Sequence, residues 1–243
     1  QKNKLLFDNL NLKINDKNQS IIKLENIKYG NFGYYKNLIK GEVFGKKFKT
    51  NIKTTFDNIS FKLLNSGISA DINFDEREKK DSINGVFKSK ILNTNLKFNF
   101  NYNYNNKKLN IYNSYFRSKN ISLKSNNMII FKPFIDLNSK FQIEELNTQI
   151  FKNINLNKLL KSKNIIKRIN SKNEIILKSK KFNRNLIHDL NLKINLAYGR
   201  INFYKRFSIT ENLFQCEGNI NLLEEYPLLF FDCSISSENK HNF

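Results

Sequence analysis

Hydrophobic and polar residues alternate along most of the chain. The clearest stretch is LKFNFNYNYNN, residues 96–106, in which Leu96, Phe98, Phe100 and Tyr102 share one parity, and lysine or asparagine fills the other. Successive side chains of an extended strand point to opposite faces, so this stretch predicts a strand with one apolar and one polar side. At roughly 3.3 Å per residue the apolar stripe runs for about 30 Å, which is long for a globular strand.

The same period of two recurs elsewhere and predicts a mainly β chain. The alternating segments are 48–56, 59–63, 68–74, 133–146 and 190–198. One-sided alternation is typical of antiparallel sheets with a single buried face. Clusters of Asn, Asp, Gly and Ser, together with FGKK at residues 44–47, separate the segments and predict tight turns rather than long crossovers.

One segment departs from this pattern. Residues 154–170 place Leu156, Leu159, Leu160 and Ile169 at helical spacing, with Asn and Lys on the other side. We therefore predict a helical insertion of one or two short helices at about 154–170.

A glycine-containing unit recurs loosely along the chain. Residues 39–53 and 83–97 share an Ile followed two residues later by Gly41 or Gly85, and residues 216–223 are a weaker third instance. A repeated strand-and-return unit suggests a sheet that grows by adding hairpins.

Of the arrangements that bury a long one-sided β surface, two fit this sequence best. In an open, curved antiparallel sheet the apolar side lines a hydrophobic groove, and in a β-sandwich a second sheet covers it. We expect residues 1–243 to form a single elongated β domain of the first kind, with the β-sandwich as the alternative.

The charge is strongly positive. The 42 Lys and Arg residues face 21 Asp and Glu, a net charge of +21, which suggests an anionic partner. However, Asn, Lys, Ile and Phe are all abundant while Pro, Met and Trp are nearly absent, the pattern of an AT-rich coding sequence, and the basic residues are spread along the chain. We interpret most of the excess charge as base composition.

Residues for catalysis do not converge in the sequence. His188 precedes Asp189 at a predicted strand start, and His241 lies near the C-terminus. The acid pairs 144–145 and 224–225 are adjacent in sequence, so on a strand they would point to opposite faces and could not share a metal. No phosphate-binding loop occurs. We predict no enzymatic activity, no catalytic residue, no metal and no cofactor.

The two cysteines leave two alternatives. Cys216 and Cys233 lie on predicted strands joined by a short connection, so they either face each other in a disulfide or remain two buried thiols. No histidine is near them in sequence, which disfavours a zinc site.

Three long segments resemble AsmA-like proteins of the Gram-negative envelope. They are residues 26–74, with Gly-punctuated hairpins returning into alternating strands, 108–147, with FRSKNISLKS before KPFIDLNSKF, and 196–236. The likeness rests on pattern and segment order. It implies a C-terminal region of a bridge-like lipid-transfer protein, whose bent sheet conducts phospholipid across the periplasm between the inner and outer membranes.

The resemblance also carries expectations about location and partners. No run of 18 apolar residues occurs, and the chain begins at Gln1, so we expect an excised piece whose inner-membrane anchor is not present in these residues. The implied partners are phospholipid, both membranes and other envelope proteins. Nucleic acid is not expected, although a basic single-stranded nucleic-acid-binding module is an alternative function.

We hypothesise that apolar positions of two strands line the lipid groove. They are Leu96, Phe98, Phe100, Tyr102, Leu190, Leu192, Ile194 and Leu196. The competing interpretation places them in an ordinary core between two sheets, in a structural envelope domain that binds no lipid.

Overall fold

A computed structural model describes most of the chain as β-strands. The described residues are 4–16, 19–33, 36–53, 55, 57–75, 81–132, 135–147, 169–177, 189–209 and 212–237. The strands are β1 (Leu6–Asp16), β2 (Gln19–Gly30), β3 (Leu38–Val43), β4 (Lys46–Ile52), β5 (Asn58–Leu63), β6 (Ile68–Phe74), β7 (Ser82–Ile91), β8 (Thr94–Asn103), β9 (Lys108–Arg117), β10 (Ile121–Ile130), β11 (Ile135–Leu146), β12 (Ile169–Leu177), β13 (Leu190–Ala197), β14 (Arg200–Ile209), β15 (Asn212–Asn221) and β16 (Leu229–Ser237).

The sixteen strands belong to one sheet and follow each other in the order of the sequence. The order is linear, with β1 and β16 at its two ends. The chain divides into two compact units, residues 1–97 and 98–243, and each is described by itself below. The predicted mainly β class and open, largely antiparallel sheet are confirmed, while the prediction of a single domain stays a prediction.

One strand pair corrects the expectation of hairpins throughout. β11 and β12 are parallel, with Ile135 opposite Ile169 and Ile143 opposite Leu177. Parallel neighbours need a crossover of a dozen or more residues, whereas antiparallel ones need only a tight turn. The predicted helical insertion falls in this connection, and its residues 154–168 lie outside the described residues. Its last two positions, 169 and 170, open β12, so the prediction of helix there is wrong because pairing with β11 overrides the helical spacing.

Two hairpins are closed by an aromatic residue followed by glycine. Phe44–Gly45 joins β3 to β4, and Tyr198–Gly199 joins β13 to β14, and all four residues have positive φ. Two-residue turns with positive φ at both positions match the right-handed twist of the flanking strands. The predicted turn at 44–47 is therefore a tight hairpin at this point.

Each of the three recurrent glycines lies opposite a phenylalanine on a neighbouring strand. Gly41 lies opposite Phe48, Gly85 opposite Phe74 and Gly218 opposite Phe203. A Cβ atom on Gly218 would lie 2.6 Å from the Phe203 ring and 2.5 Å from the Phe230 carbonyl oxygen. An aromatic ring lying over a strand glycine covers the backbone that glycine leaves exposed.

Within each unit the described strands form a single layer. The described strands contact extensively only their neighbours, and they belong to one sheet with no second sheet among them. Among the described residues few hydrophobic side chains are buried, and they are Ile27, Leu38, Val43, Phe48, Leu63, Ile143, Leu177 and Leu222. The β-sandwich alternative is therefore wrong for the described part of either unit.

Candidate functional site

The register of the strands separates an apolar from a polar face in the second unit. From β9 to β16, residues directly opposite each other point to the same side of the sheet. One side carries Leu, Ile and Phe at most positions, and the other carries Asn, Lys, Glu and Arg. We call these sides the apolar face and the polar face of that unit.

An unbroken line of hydrophobic residues crosses the apolar face perpendicular to the strands. Each member lies opposite the next, one from each strand from β9 to β16, and we call this line the apolar row. Its members are Phe116, Leu123, Ile143, Leu177, Leu190, Phe207, Phe214 and Ile235. With strands about 4.8 Å apart the row is about 34 Å long.

Accessibility along the apolar row is lowest at β11 and β12 and increases from there toward β16. Leu177 and Ile143 are 3% and 9% exposed and pack with Ile175 and Leu190, whereas Ile235 is 50% exposed. Between them, Phe207 and Phe214 stack with ring centroids 5.0 Å apart and are partly exposed. A ligand on this face would therefore reach the row from β13 to β16.

The four hypothesised residues of β13 all lie on the apolar face and are partly exposed. Leu190 belongs to the apolar row. Leu196 lies opposite Ile201, Ile194 opposite Phe203, and Leu192 opposite Ile175. The alternation in β13 thus identified the apolar side of the strand, but the partners on β14 and β15 follow only from the register.

The hypothesised residues of β8 belong to a different place in the sheet. Phe98 and Phe100 have ring centroids 6.4 Å apart, and the Tyr102 ring lies 6.3 Å from that of Phe131. All three residues are partly exposed. Four strands, β9 to β12, separate β8 from β13 in the order of the sheet, so Phe98, Phe100 and Tyr102 do not meet the β13 residues. Leu96 falls in the first unit.

Small polar residues interrupt the apolar face between β9 and β12. They form a diagonal band beside the apolar row, and its members are Ser114, Ser125, Asn127, Ser139, Ser171 and Asn173. Asn127 Nδ2 donates to Ser125 Oγ at 2.9 Å, and Asn173 Nδ2 donates to Ser171 Oγ at 2.9 Å. The expected continuous apolar surface is therefore interrupted by polar residues beside the apolar row.

One cation also lies on the apolar face. Lys205 is opposite Leu192 and Cys216, and its Nζ lies 4.5 Å from the centroid of the Phe207 ring. An ammonium over an aromatic ring is attracted by the negative face of the ring. This contact holds the cationic side chain against the apolar row.

Opposite charges alternate on the polar face of the second unit. Glu174 lies between Lys140 and Lys193 on the neighbouring strands, and the Lys140 Nζ to Glu174 Oε2 distance is 3.0 Å. The hydrogen bond from Lys140 lowers the pKa of the Glu174 carboxyl, with smaller help from Asn191 and from the charge of Lys193. This face is locally neutralised.

The strands of the first unit also have one apolar and one polar side, but lysines dominate the polar side. On its apolar side Ile52, Ile59, Ile72 and Phe87 are opposite one another across β4 to β7. On the other side a line of lysines crosses β2 to β7, with one serine on β6. Its members, which we call the lysine row, are Lys28, Lys40, Lys49, Lys62, Ser69 and Lys90.

The two cysteines form a disulfide that joins the last two strands. Cys216 of β15 lies directly opposite Cys233 of β16, and the structure contains the bond between them. Of the two alternatives left open by the sequence, this is the one present. Cys216 lies opposite Lys205, so the disulfide belongs to the apolar face.

The histidines and acid pairs considered in the sequence are only partly among the described residues. His188 and His241 lie outside them, and Glu224 and Glu225 lie in a bend after β15 rather than on a strand. No group of three or more His, Cys, Asp or Glu side chains suited to a metal occurs in the described ranges. In the same ranges, no helix has the length and apolar character needed to cross a bilayer.

Comparison with protein-family models, with curated proteins and with solved structures finds no match to this chain.

Proposed function

We propose that this protein binds lipid acyl chains on the apolar face of its second unit and lets them move along the apolar row. The observation that carries the proposal is that row of eight opposed hydrophobic residues, with no described strand packed over it. From β13 to β16 no described part of the protein covers the apolar row. A linear hydrocarbon chain matches the long, narrow shape of this row.

The hydrophobic effect supplies the driving force. Each methylene removed from water contributes about 0.8 kcal/mol, so a chain of ten or more methylenes gains several kcal/mol on such a surface even when contact is partial. The side chains of the row change little in chemistry from strand to strand. Movement along the row therefore meets no large barrier, and the proposal requires no catalytic group and no nucleotide.

The polar elements around the row suit a lipid rather than a pure hydrocarbon. The exposed Lys205 beside Phe207 offers a cationic hydrogen-bond donor next to the row on β14, where a phosphate could lie. A charged head group kept near polar side chains avoids the cost of burial in an apolar environment. These features support phospholipid as the ligand.

The resemblance to AsmA-like proteins extends the proposal to the bacterial envelope. We place the protein in the periplasm, where it would conduct phospholipid between the inner and outer membranes. The Cys216–Cys233 disulfide supports an oxidising compartment, since such bonds persist in the periplasm and are rare in the cytosol.

Lipid extraction with mass spectrometry tests this proposal. Protein purified from cells in mild buffer should carry phospholipid, and the double variant Ile194→Glu, Ile235→Glu should carry at least about tenfold less, because an acyl chain would bury the new carboxylates. The matched control is Asn195→Glu, Ser234→Glu, which adds the same charge to the same strands on the polar face. The control should keep the bound lipid.

Two results would contradict the proposal. One is wild-type protein without phospholipid, and the other is equal lipid loss in both double variants. Circular dichroism establishes that each variant keeps its strand content. If the Glu variant unfolds, the milder pair Ile194→Ser, Ile235→Ser replaces it, with a smaller loss expected.

A further inference from the structure

The register of the first unit concentrates positive charge in the lysine row. Lys28, Lys40, Lys49 and Lys62 lie directly opposite one another on four consecutive strands, and Lys90 follows beyond Ser69. Six strands at about 4.8 Å spacing give the row a length of about 24 Å. Lys49, Lys62 and Lys90 are exposed.

Like charges directly opposite each other destabilise a sheet. The second unit avoids this by alternation, with Glu174 between Lys140 and Lys193. In the first unit the acids lie beside the row instead of within it: Glu42 lies opposite Lys47, and Asp8 pairs with Lys28 at its end. An arrangement that costs stability in the free protein is relieved when an anion lies along the row.

A depression in the surface lies at one end of the row. Its volume is about 530 Å³, and its lining combines four lysines with a single acid. The charged residues that line it are Lys28, Lys40, Glu42, Lys47 and Lys49. Such a depression has room for a phosphate-bearing group, and its charge balance favours one.

Two classes of large polyanion would match the charge, and the aromatic residues decide between them. Single-stranded nucleic acid needs aromatic side chains beside the basic ones, because its bases stack on them. In the first unit Phe48, Phe61 and Phe87 share the apolar face, on the side opposite to the lysine row. The neighbouring positions on the lysine side carry Glu42, Asn51, Ser60 and Asp71. A layer of phosphate groups without bases fits this surface better.

We infer that the lysine row docks the first unit onto an anionic membrane surface, with lipid phosphates along the row. This role is separate from the proposed acyl-chain binding, since it uses the other unit and the opposite kind of face. Each lysine near an anionic bilayer contributes about fivefold to the partition coefficient. The attraction falls with salt because the lysines are exposed.

Vesicle flotation tests the inference on the full chain. Binding to vesicles of phosphatidylcholine with phosphatidylglycerol should exceed binding to pure phosphatidylcholine. Binding to the anionic vesicles should weaken as NaCl rises from about 50 to about 500 mM, because the Debye length falls from above to below its value in physiological salt. The triple variant Lys40→Gln, Lys49→Gln, Lys62→Gln should bind the anionic vesicles about a hundredfold more weakly. Circular dichroism establishes that the triple variant keeps its strand content.

The matched control is Lys140→Gln, Lys172→Gln, Lys193→Gln, which removes the same charge from the polar face of the second unit. It should change vesicle binding by no more than about threefold, since exposed charges act over about a Debye length. Equal losses in both triple variants, or equal binding to neutral vesicles, would overturn the inference. Retention of a single-stranded oligonucleotide without vesicle binding would also overturn it, in favour of nucleic acid.

Discussion

At the scale of single residues, three strand glycines leave room for phenylalanine side chains on the neighbouring strands. Gly41, Gly85 and Gly218 are strand glycines, and each lies opposite a phenylalanine. Glycine in a strand weakens it through its conformational freedom, and a ring lying over it compensates. Space therefore restricts substitution at Gly41 and Gly218, although none of the three glycines has a positive φ to mark it.

Substitution Gly218→Ala should lower the free energy of unfolding by about 1 to 3 kcal/mol, the usual cost of overpacking. The new methyl would meet the Phe230 carbonyl oxygen at 2.5 Å and the Phe203 ring at 2.6 Å, and the carbonyl belongs to the backbone and cannot rotate away. Urea denaturation measures the change. The neighbouring exposed Asn219→Ala is the control, with an expected change under about 0.5 kcal/mol. Equal stabilities for the two variants would count against close packing at Gly218.

A second residue-scale prediction concerns pH. Because Lys140 lowers the pKa of Glu174 below its ordinary 4.5, the folded state favours the ionised carboxyl. Its contribution is complete above the unfolded pKa and is lost as pH falls through the folded pKa. Glu174→Gln should therefore flatten the acid limb of a stability profile between about pH 5 and 3, by less than about 1 kcal/mol because the pair is partly solvated. Lys140→Gln should do the same. An unchanged acid limb in both would refute this assignment.

At the scale of elements, the last strand depends on few contacts. β16 is exposed over nearly its whole length and pairs with β15 alone, at the end of the strand order. A strand with only one neighbour and little burial gains little from packing. The disulfide between Cys216 and Cys233 supplies the link that packing does not.

The variant Cys216→Ser, Cys233→Ser should therefore lose about 3 kcal/mol, the chain-entropy value for a bridge that closes a separation of 17 residues. Hydrogen exchange should show the loss concentrated in β16 and β15. In the wild type, thiol labelling under denaturing, non-reducing conditions should find neither cysteine reactive. Two reactive thiols in protein from its native compartment would remove both the link and the support for an oxidising location.

At the scale of the whole molecule, the described strands of each unit form one layer and do not cover either of its faces. A sheet in a sandwich hides its apolar side, whereas here the described strands leave it without a second layer. The two proposals use different faces, so their experiments are independent. Ile194→Glu, Ile235→Glu should lose lipid and keep vesicle binding, and the lysine-row variant should do the reverse. A joint loss in either variant would indicate unfolding and is checked by circular dichroism.

The sequence by itself determined the class of structure and the two-sided character of the strands. Alternation is a local property, because each side chain's direction depends only on the extended backbone around it. For that reason β13 could be assigned its apolar side, and the turn at Phe44–Gly45 could be located. The same local reasoning produced the helical prediction that fails at 169–170. The spacing of hydrophobic residues there suits a helix, but the sequence does not show that these residues pair with β11.

Only the tertiary structure decided which residues of different strands lie next to each other. The apolar row and the lysine row each contain one residue from every strand they cross, and Ser69 is the one member of the lysine row that is not a lysine. Residues of the same row are far apart in sequence. A shift of register by one residue would exchange the faces of a strand, and no local pattern specifies which partner lies opposite. The parallel pairing of β11 and β12 and the Ser and Asn band arise in the same way. Register depends on the free energy of the assembled sheet, and for this reason it could not be read from any single segment.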